Sequence, residues 1–175
     1  MDLSTELAMN RMGIVSGIVA LAVGIGMGSS SHAATQLRQI QAQGGPACQL
    51  SIPTTDTQVR PKATGFRNEG TVNAFVICSL TMPDATYAGI EIAASTLDGH
   101  PATMNCTATN GRHSPDMSID YVTKSGQESG LQQWFGWTPS DFTFNGGGYI
   151  SITCLLPAQT SIDSIDGYYY EDVGN

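Results

Sequence analysis

The chain has 175 residues, with Lys+Arg 7 against Asp+Glu 15, a formal charge of −8 and a pI of about 4.5. Such an acidic chain with no basic cluster is a poor partner for nucleic acid or anionic lipid, because both contacts depend on Lys and Arg. With 13% charged and 41% hydrophobic residues it is neither a disordered acidic tail nor a charged coiled coil, and its length suits one domain or a domain with a tail.

The N-terminal segment reads as a targeting signal. Met12 to Met27 carry no charge, Arg11 precedes them, and Ser29-Ser30-Ser31-His32-Ala33 follow. A basic residue, an apolar stretch and a small-x-small site make a secretory signal over 1–33, cleaved after Ala33. The apolar stretch falls short of the roughly 20 residues that cross a bilayer, which argues against a retained anchor. Asp2 and Glu6 are unusual before a signal, so translation starts at Met1 or at Met9. Cys48 lies too far beyond the stretch to carry a lipid. Loss of Arg11, Asp2 and Glu6 with the signal changes the net charge from −8 to −7.

Residues 34–47, ATQLRQIQAQGGPA, begin helix-compatible and end in Gly-Gly-Pro, so a flexible leader is expected there. From residue 48 to 175 the apolar period is two, as in half-buried antiparallel strands. Ile90, Ile92 and Ala94 share one face of a first run. Ala102, Met104, Cys106 and Ala108 alternate with Thr and Asn in a second. Ile150, Ile152, Cys154 and Leu156 alternate in a third. Asn73 to Leu80, apolar on both faces, predicts a central, doubly covered strand. Turns are expected at Pro83-Asp84, Asp98-Gly99, Asn110-Gly111, Ser125-Gly126, Asn145 to Gly148 and Asp166-Gly167. The fold predicted is all-β: one antiparallel β-sandwich, with jelly-roll and Ig-like topologies both open.

Cys48, Cys78, Cys106 and Cys154 are even in number, which in an exported chain implies two disulfides. The last three share a face with the aliphatic residues of their strands, so the sulfurs should point inward. Of three connectivities, sequence-local pairing favours Cys48–Cys78 and Cys106–Cys154. The wide spacing is unlike a zinc site, and no metal or cofactor is expected.

The segments GFRNEGTVNAFVICSL (65–80), ATMNCTATNG (102–111) and YISITCLLP with SIDSIDGYYYEDVG (161–174) resemble a group of small exported bacterial proteins of uncharacterised function. These share a signal, four cysteines, a Gly-x-x-Asn turn before the second cysteine strand and Cys-x-x-Pro after the fourth. This chain has Ser79 where the group usually has Pro. The resemblance implies a secreted β-sandwich and carries no activity with it.

For chemistry, His100 and His113 are expected in solvated turns, with no Gly-x-Ser-x-Gly or His-Glu-x-x-His pattern around them. The carboxylates Asp116, Asp120, Asp163, Asp166, Glu171 and Asp172 read as solvated charges that protect sheet edges. No catalytic residue is expected. Gln132-Gln133-Trp134-Phe135-Gly136-Trp137 is the most informative segment. Aromatic rings stack on sugar faces and amides bond hydroxyls, so Trp134, Trp137, Gln132 and Gln133 are the candidate ligand residues. Core packing is the competing role, and two residues three apart in a strand face opposite sides, leaving one indole exposed. The Tyr168-Tyr169-Tyr170 run offers a second aromatic surface. The leading function is a secreted or periplasmic, non-enzymatic protein that binds a surface ligand such as glycan, or an envelope protein. A structural subunit of an envelope assembly comes second and a hydrolase third.

Overall fold

Alternating residues from 35 to 172 build two antiparallel sheets in the computed structural model, which describes residues 34–52, 58–83, 86–114, 117–128, 132–143 and 149–174. Residues 1–33, where a signal, its cleavage after Ala33 and the start at Met1 or Met9 are expected, lie outside them. The strands are β1 (Thr35–Gln43), β2 (Cys48–Leu50), β3 (Val59–Lys62), β4 (Gly65–Asn68), β5 (Ala74–Thr81), β6 (Thr86–Thr96), β7 (Ala102–Ser114), β8 (Met117–Glu128), β9 (Gln133–Trp137), β10 (Tyr149–Leu156) and β11 (Thr160–Asp172). One helical turn, α1 (Gly44–Ala47), follows β1, and a 3-10 turn spans Pro139–Asp141.

The six-stranded sheet runs β3-β4-β11-β6-β9, with β1 also paired to β11; the five-stranded sheet runs β2-β5-β10-β7-β8. β4 pairs with Thr160–Ile162 of β11 and β1 with Ser164–Asp172, so the two share one edge of that strand end to end. Eight strands, β1-β11-β6-β9 and β5-β10-β7-β8, give the two interleaved sheets of a jelly roll. This settles the topology that the alternation alone leaves open. β2 and the β3–β4 hairpin are additions to that frame.

One core fills the space between the sheets. Ile90, Ile92, Ile162, Ile165 and Trp137 come from the six-stranded sheet; Val76, Met104, Ile152 and the four cysteines come from the other. The disulfides are Cys48–Cys78 and Cys106–Cys154, as expected. Each joins directly opposed residues on hydrogen-bonded neighbours, β2 to β5 and β10 to β7, with Cα atoms 4.0 Å apart. Asn68 is fully buried and satisfied: its Nδ2 donates to Val72 O (2.9 Å) and Leu156 O (3.0 Å), and its Oδ1 accepts from Gly70 N–H (3.0 Å). It ties the segment before β5 to the end of β10.

Four expectations are corrected. The flexible leader over 34–47 is instead strand β1 and α1: Ile40 and Ala42 pack against the core, and Gln39, Gln41 and Gln43, which alternate with them, face the other way. Asn110-Gly111, Ser125-Gly126 and Asp166-Gly167 are not turns but lie inside β7, β8 and β11. Gly167 is there for close packing, since a Cβ would lie 2.7 Å from Leu80 Cδ2 and 2.8 Å from Met82 Sδ. β5 is covered on one face only, with Phe75 and Ser79 outward, because in a two-sheet sandwich only the inner face of each sheet meets the core. Finally, Asp166 is wholly buried rather than solvated. The Asp98-Gly99 turn is present, with Asp98 Oδ1 accepting from His100 N–H (2.9 Å).

Between β8 and β9 the sandwich is closed by a polar seam. Lys124 Nζ, from the five-stranded sheet, donates to Gly136 O and to Asp141 Oδ2, both at 2.9 Å. Asp141 Oδ2 also accepts from Thr138 N–H at 2.7 Å, and this bond, then Lys124, holds the carboxyl below its ordinary range. A lowered folded pKa means a stability fully present above the ordinary Asp value of 3.8 and lost as pH falls through the folded value. Asp141→Asn should therefore be less stable than wild type at pH 7. Urea midpoints followed down to about pH 2.5 should show the two proteins converging in acid.

Candidate functional site

β9 presents alternate residues to opposite sides of the six-stranded sheet. Its register with β6 sets Trp134 against Ala93 and Gly136 against Glu91, on the outer face, while Phe135 and Trp137 pair with Ile92 and Ile90 on the core side. Trp134 is 45% exposed and Trp137 only 1%. The expected division of the two indoles therefore holds. Trp137 is a core residue, not a ligand candidate: its Nε1–H donates to Val122 O (2.9 Å), and its ring centroid lies 5.8 Å from that of Phe135. The amides divide too. Gln132 is exposed just before the strand, whereas Gln133 is half-buried on the core-side register.

Across the outer face the pairings place residues in rows. Trp134, Ala93, Ser164 and Gln43 form one; Gly136, Glu91, Asp166 and Gln41 the next; Gly89, Tyr168 and Gln39 a third. Strands lie about 4.8 Å apart and rows about 7 Å, so these side chains make one continuous surface. Tyr170 and Leu37, both exposed, extend it along β11 and β1. The rows bring Glu91 and Asp166, 75 residues apart in sequence, into direct opposition.

Asp166 organises this surface from beneath. Its Oδ1 accepts from Gln39 Nε2 (2.7 Å), and its Oδ2 from Gln41 Nε2 and Ser164 Oγ, both at 3.2 Å. Those bonds fix the two amides, so their Oε1 atoms are left as hydrogen-bond acceptors. Being fully buried, Asp166 orients other groups and does not meet solvent. Glu91 is half-buried, and its Oε1 accepts the Tyr168 hydroxyl. That bond, together with burial and the charges of Glu91 and Asp166, pushes the Tyr168 phenol up to about 12. In a phenolate-absorbance titration, Glu91→Gln should move one late-titrating tyrosine toward the ordinary value of 10.

On the side of Glu91 away from Trp134 the face is low, and Gly89, Glu91, Gly136, Thr138 and Tyr168 border a cleft of about 260 Å³. Gly136 is required by close approach, since a Cβ there would lie 2.6 Å from both Glu91 Cβ and Ile90 O. An exposed indole on the same face as a cleft edged by a carboxylate and a phenol suits an extended ligand with apolar ring faces and hydroxyl edges.

The remaining candidates lie elsewhere. His100 is exposed and 3.4 Å from Asp98. His113 is in β7 rather than a turn, and Asp116 lies outside the described residues. Glu171 pairs with Arg38 at 2.7 Å near the chain ends. Asp120 accepts from Thr143 Oγ1 (2.8 Å) at the far edge of the other sheet. Among the described residues there is no group of three or more His, Cys, Asp or Glu able to hold a metal ion, and no helix long and apolar enough to cross a membrane. No protein-family model, no curated protein and no solved structure matches the chain.

Proposed function

We propose that the chain is an exported, non-enzymatic protein that binds glycan across the outer face of its six-stranded sheet. The observation that carries the reading is Trp134, a large indole held at the surface by a strand whose other aromatic residues face the core. Its neighbours on that face are hydrogen-bonding groups already oriented by a buried carboxylate. A sugar ring stacked on the indole would direct its hydroxyls toward Glu91 on the neighbouring strand, and further units of an oligosaccharide would run across the face to Gln41 and Gln39, three strands and roughly 16–20 Å away. Two disulfides within the core fit an oxidising compartment such as the periplasm or the cell exterior.

A glycan array probed with wild-type protein and with Trp134→Ala tests this. Wild type should bind a subset of glycans. The variant should lose at least tenfold in affinity, about 1.4 kcal/mol, with its melting temperature nearly unchanged, because an exposed substitution away from the core costs about 0.5 kcal/mol or less. Binding undiminished by the substitution, or no glycan bound by wild type, would overturn the reading. In the second case, capture of an envelope protein lost in the same variant would transfer the platform to a protein partner.

A further inference from the structure

The outer face of the five-stranded sheet differs in character from the acidic chain that carries it. Among the outward residues whose side chains are described, none is charged, in a chain of formal charge −8. Hydroxyl and amide groups occupy most positions, including Ser79, Thr107, Thr109, Thr123 and Thr153. They bond among themselves across strands: Thr107 Oγ1 lies 2.7 Å from Thr123 Oγ1, and Ser125 Oγ donates to Asn105 Oδ1. At one end Phe75, 53% exposed, is paired in register with Leu155 and provides an apolar anchor.

We propose that this face docks a second copy of the chain, giving a back-to-back dimer. Three arguments select that occupant. The first is charge: the net charge is negative and the opposite face carries Glu91, whereas the described outward residues of this face carry none, so two copies meet on it without like-charge repulsion. A second is self-complementarity, since each hydroxyl or amide both donates and accepts and a two-fold axis can pair the face with itself. The third is area. Five strands about 4.8 Å apart and some eight residues long make a face of roughly 600 Å² in projection, and more once corrugated. A stable interface needs about 800 Å² per partner. The dimer stands independently of the glycan reading. If both hold, the two platforms face away from each other, and a repeating glycan is bound with avidity.

Light scattering on the intact folded protein at about 100 µM reads the mass directly, alongside a Ser79→Glu/Thr123→Glu variant that places four carboxylates in the interface. Wild type should show twice the chain mass. The variant should show a monomer that still unfolds in one cooperative transition, its dimerisation weakened at least tenfold. On an immobilised glycan the variant should also dissociate faster than wild type. A doubled mass with no glycan bound keeps the dimer and removes the platform. A monomeric wild type, or a variant that dimerises as wild type does, overturns the proposal. A monomeric wild type whose glycan binding is lost in the variant would assign this face to the glycan itself.

Discussion

Replacing Cys106 and Cys154 together with alanine should lower the folding free energy by about 4 kcal/mol. Both residues are wholly buried and directly opposed on β7 and β10, neighbouring strands inside the five-stranded sheet. Their bond closes a loop 48 residues long, whose chain entropy alone gives that figure. Cys48–Cys78 closes a loop of 30 and pins only the short edge strand β2, so its removal should cost somewhat less, about 3.5 kcal/mol. Denaturant midpoints of the two double variants measure the difference. Equal stability of wild type and the Cys106→Ala/Cys154→Ala protein would remove the disulfide from its assigned structural role.

Trp137→Ala should be the most damaging single change, at about 3–5 kcal/mol. The indole fills the core between β6 and β8, and its loss leaves a cavity beside Phe135 and the Val122 carbonyl without its N–H donor. It would also remove the aromatic face 6.0 Å from Lys124 Nζ, next to the seam that closes the sandwich. Trp137→Phe should recover part of the loss, because it refills volume but not the hydrogen bond. The contrast with Trp134→Ala is the informative part. One substitution should unfold the protein at a markedly lower denaturant concentration, while the other leaves its midpoint in place.

The strands built on a strict period of two are legible in the sequence. β7 from Ala102 to Ala108 and β10 from Ile150 to Leu156 keep one apolar face, so alternation alone turns their cysteines inward. The disulfide pairing follows sequence locality, although Cys106 and Cys154 lie on neighbours with two strands between them in the chain. β11 is harder to read because a bulge between Ile162 and Ser164 shifts its alternation. Ile162 and Ile165 therefore both face the core although they are three residues apart. β1 is hidden for another reason: its polar side looks suited to solvent until Asp166, more than 120 residues later, is found accepting from two of its glutamines. Mid-strand glycines at 126 and 167 imitate turn signals because the need for close packing is invisible without the neighbouring strands. At the candidate site, local alternation is enough to set Trp134 apart from Trp137. Nothing local places Glu91 against Asp166, which depends on the register of two strands far apart in the chain.

The most direct test of the central claim, that the outer face of the six-stranded sheet is the glycan platform, is acrylamide quenching of tryptophan fluorescence with and without a glycan selected on the array. Trp134 is exposed and Trp137 is not, so free protein should show one accessible and one protected indole. A saturating glycan should protect the accessible indole and leave the buried one unchanged. Quenching that stays the same while the glycan is demonstrably bound would place the ligand elsewhere on the molecule and contradict the account.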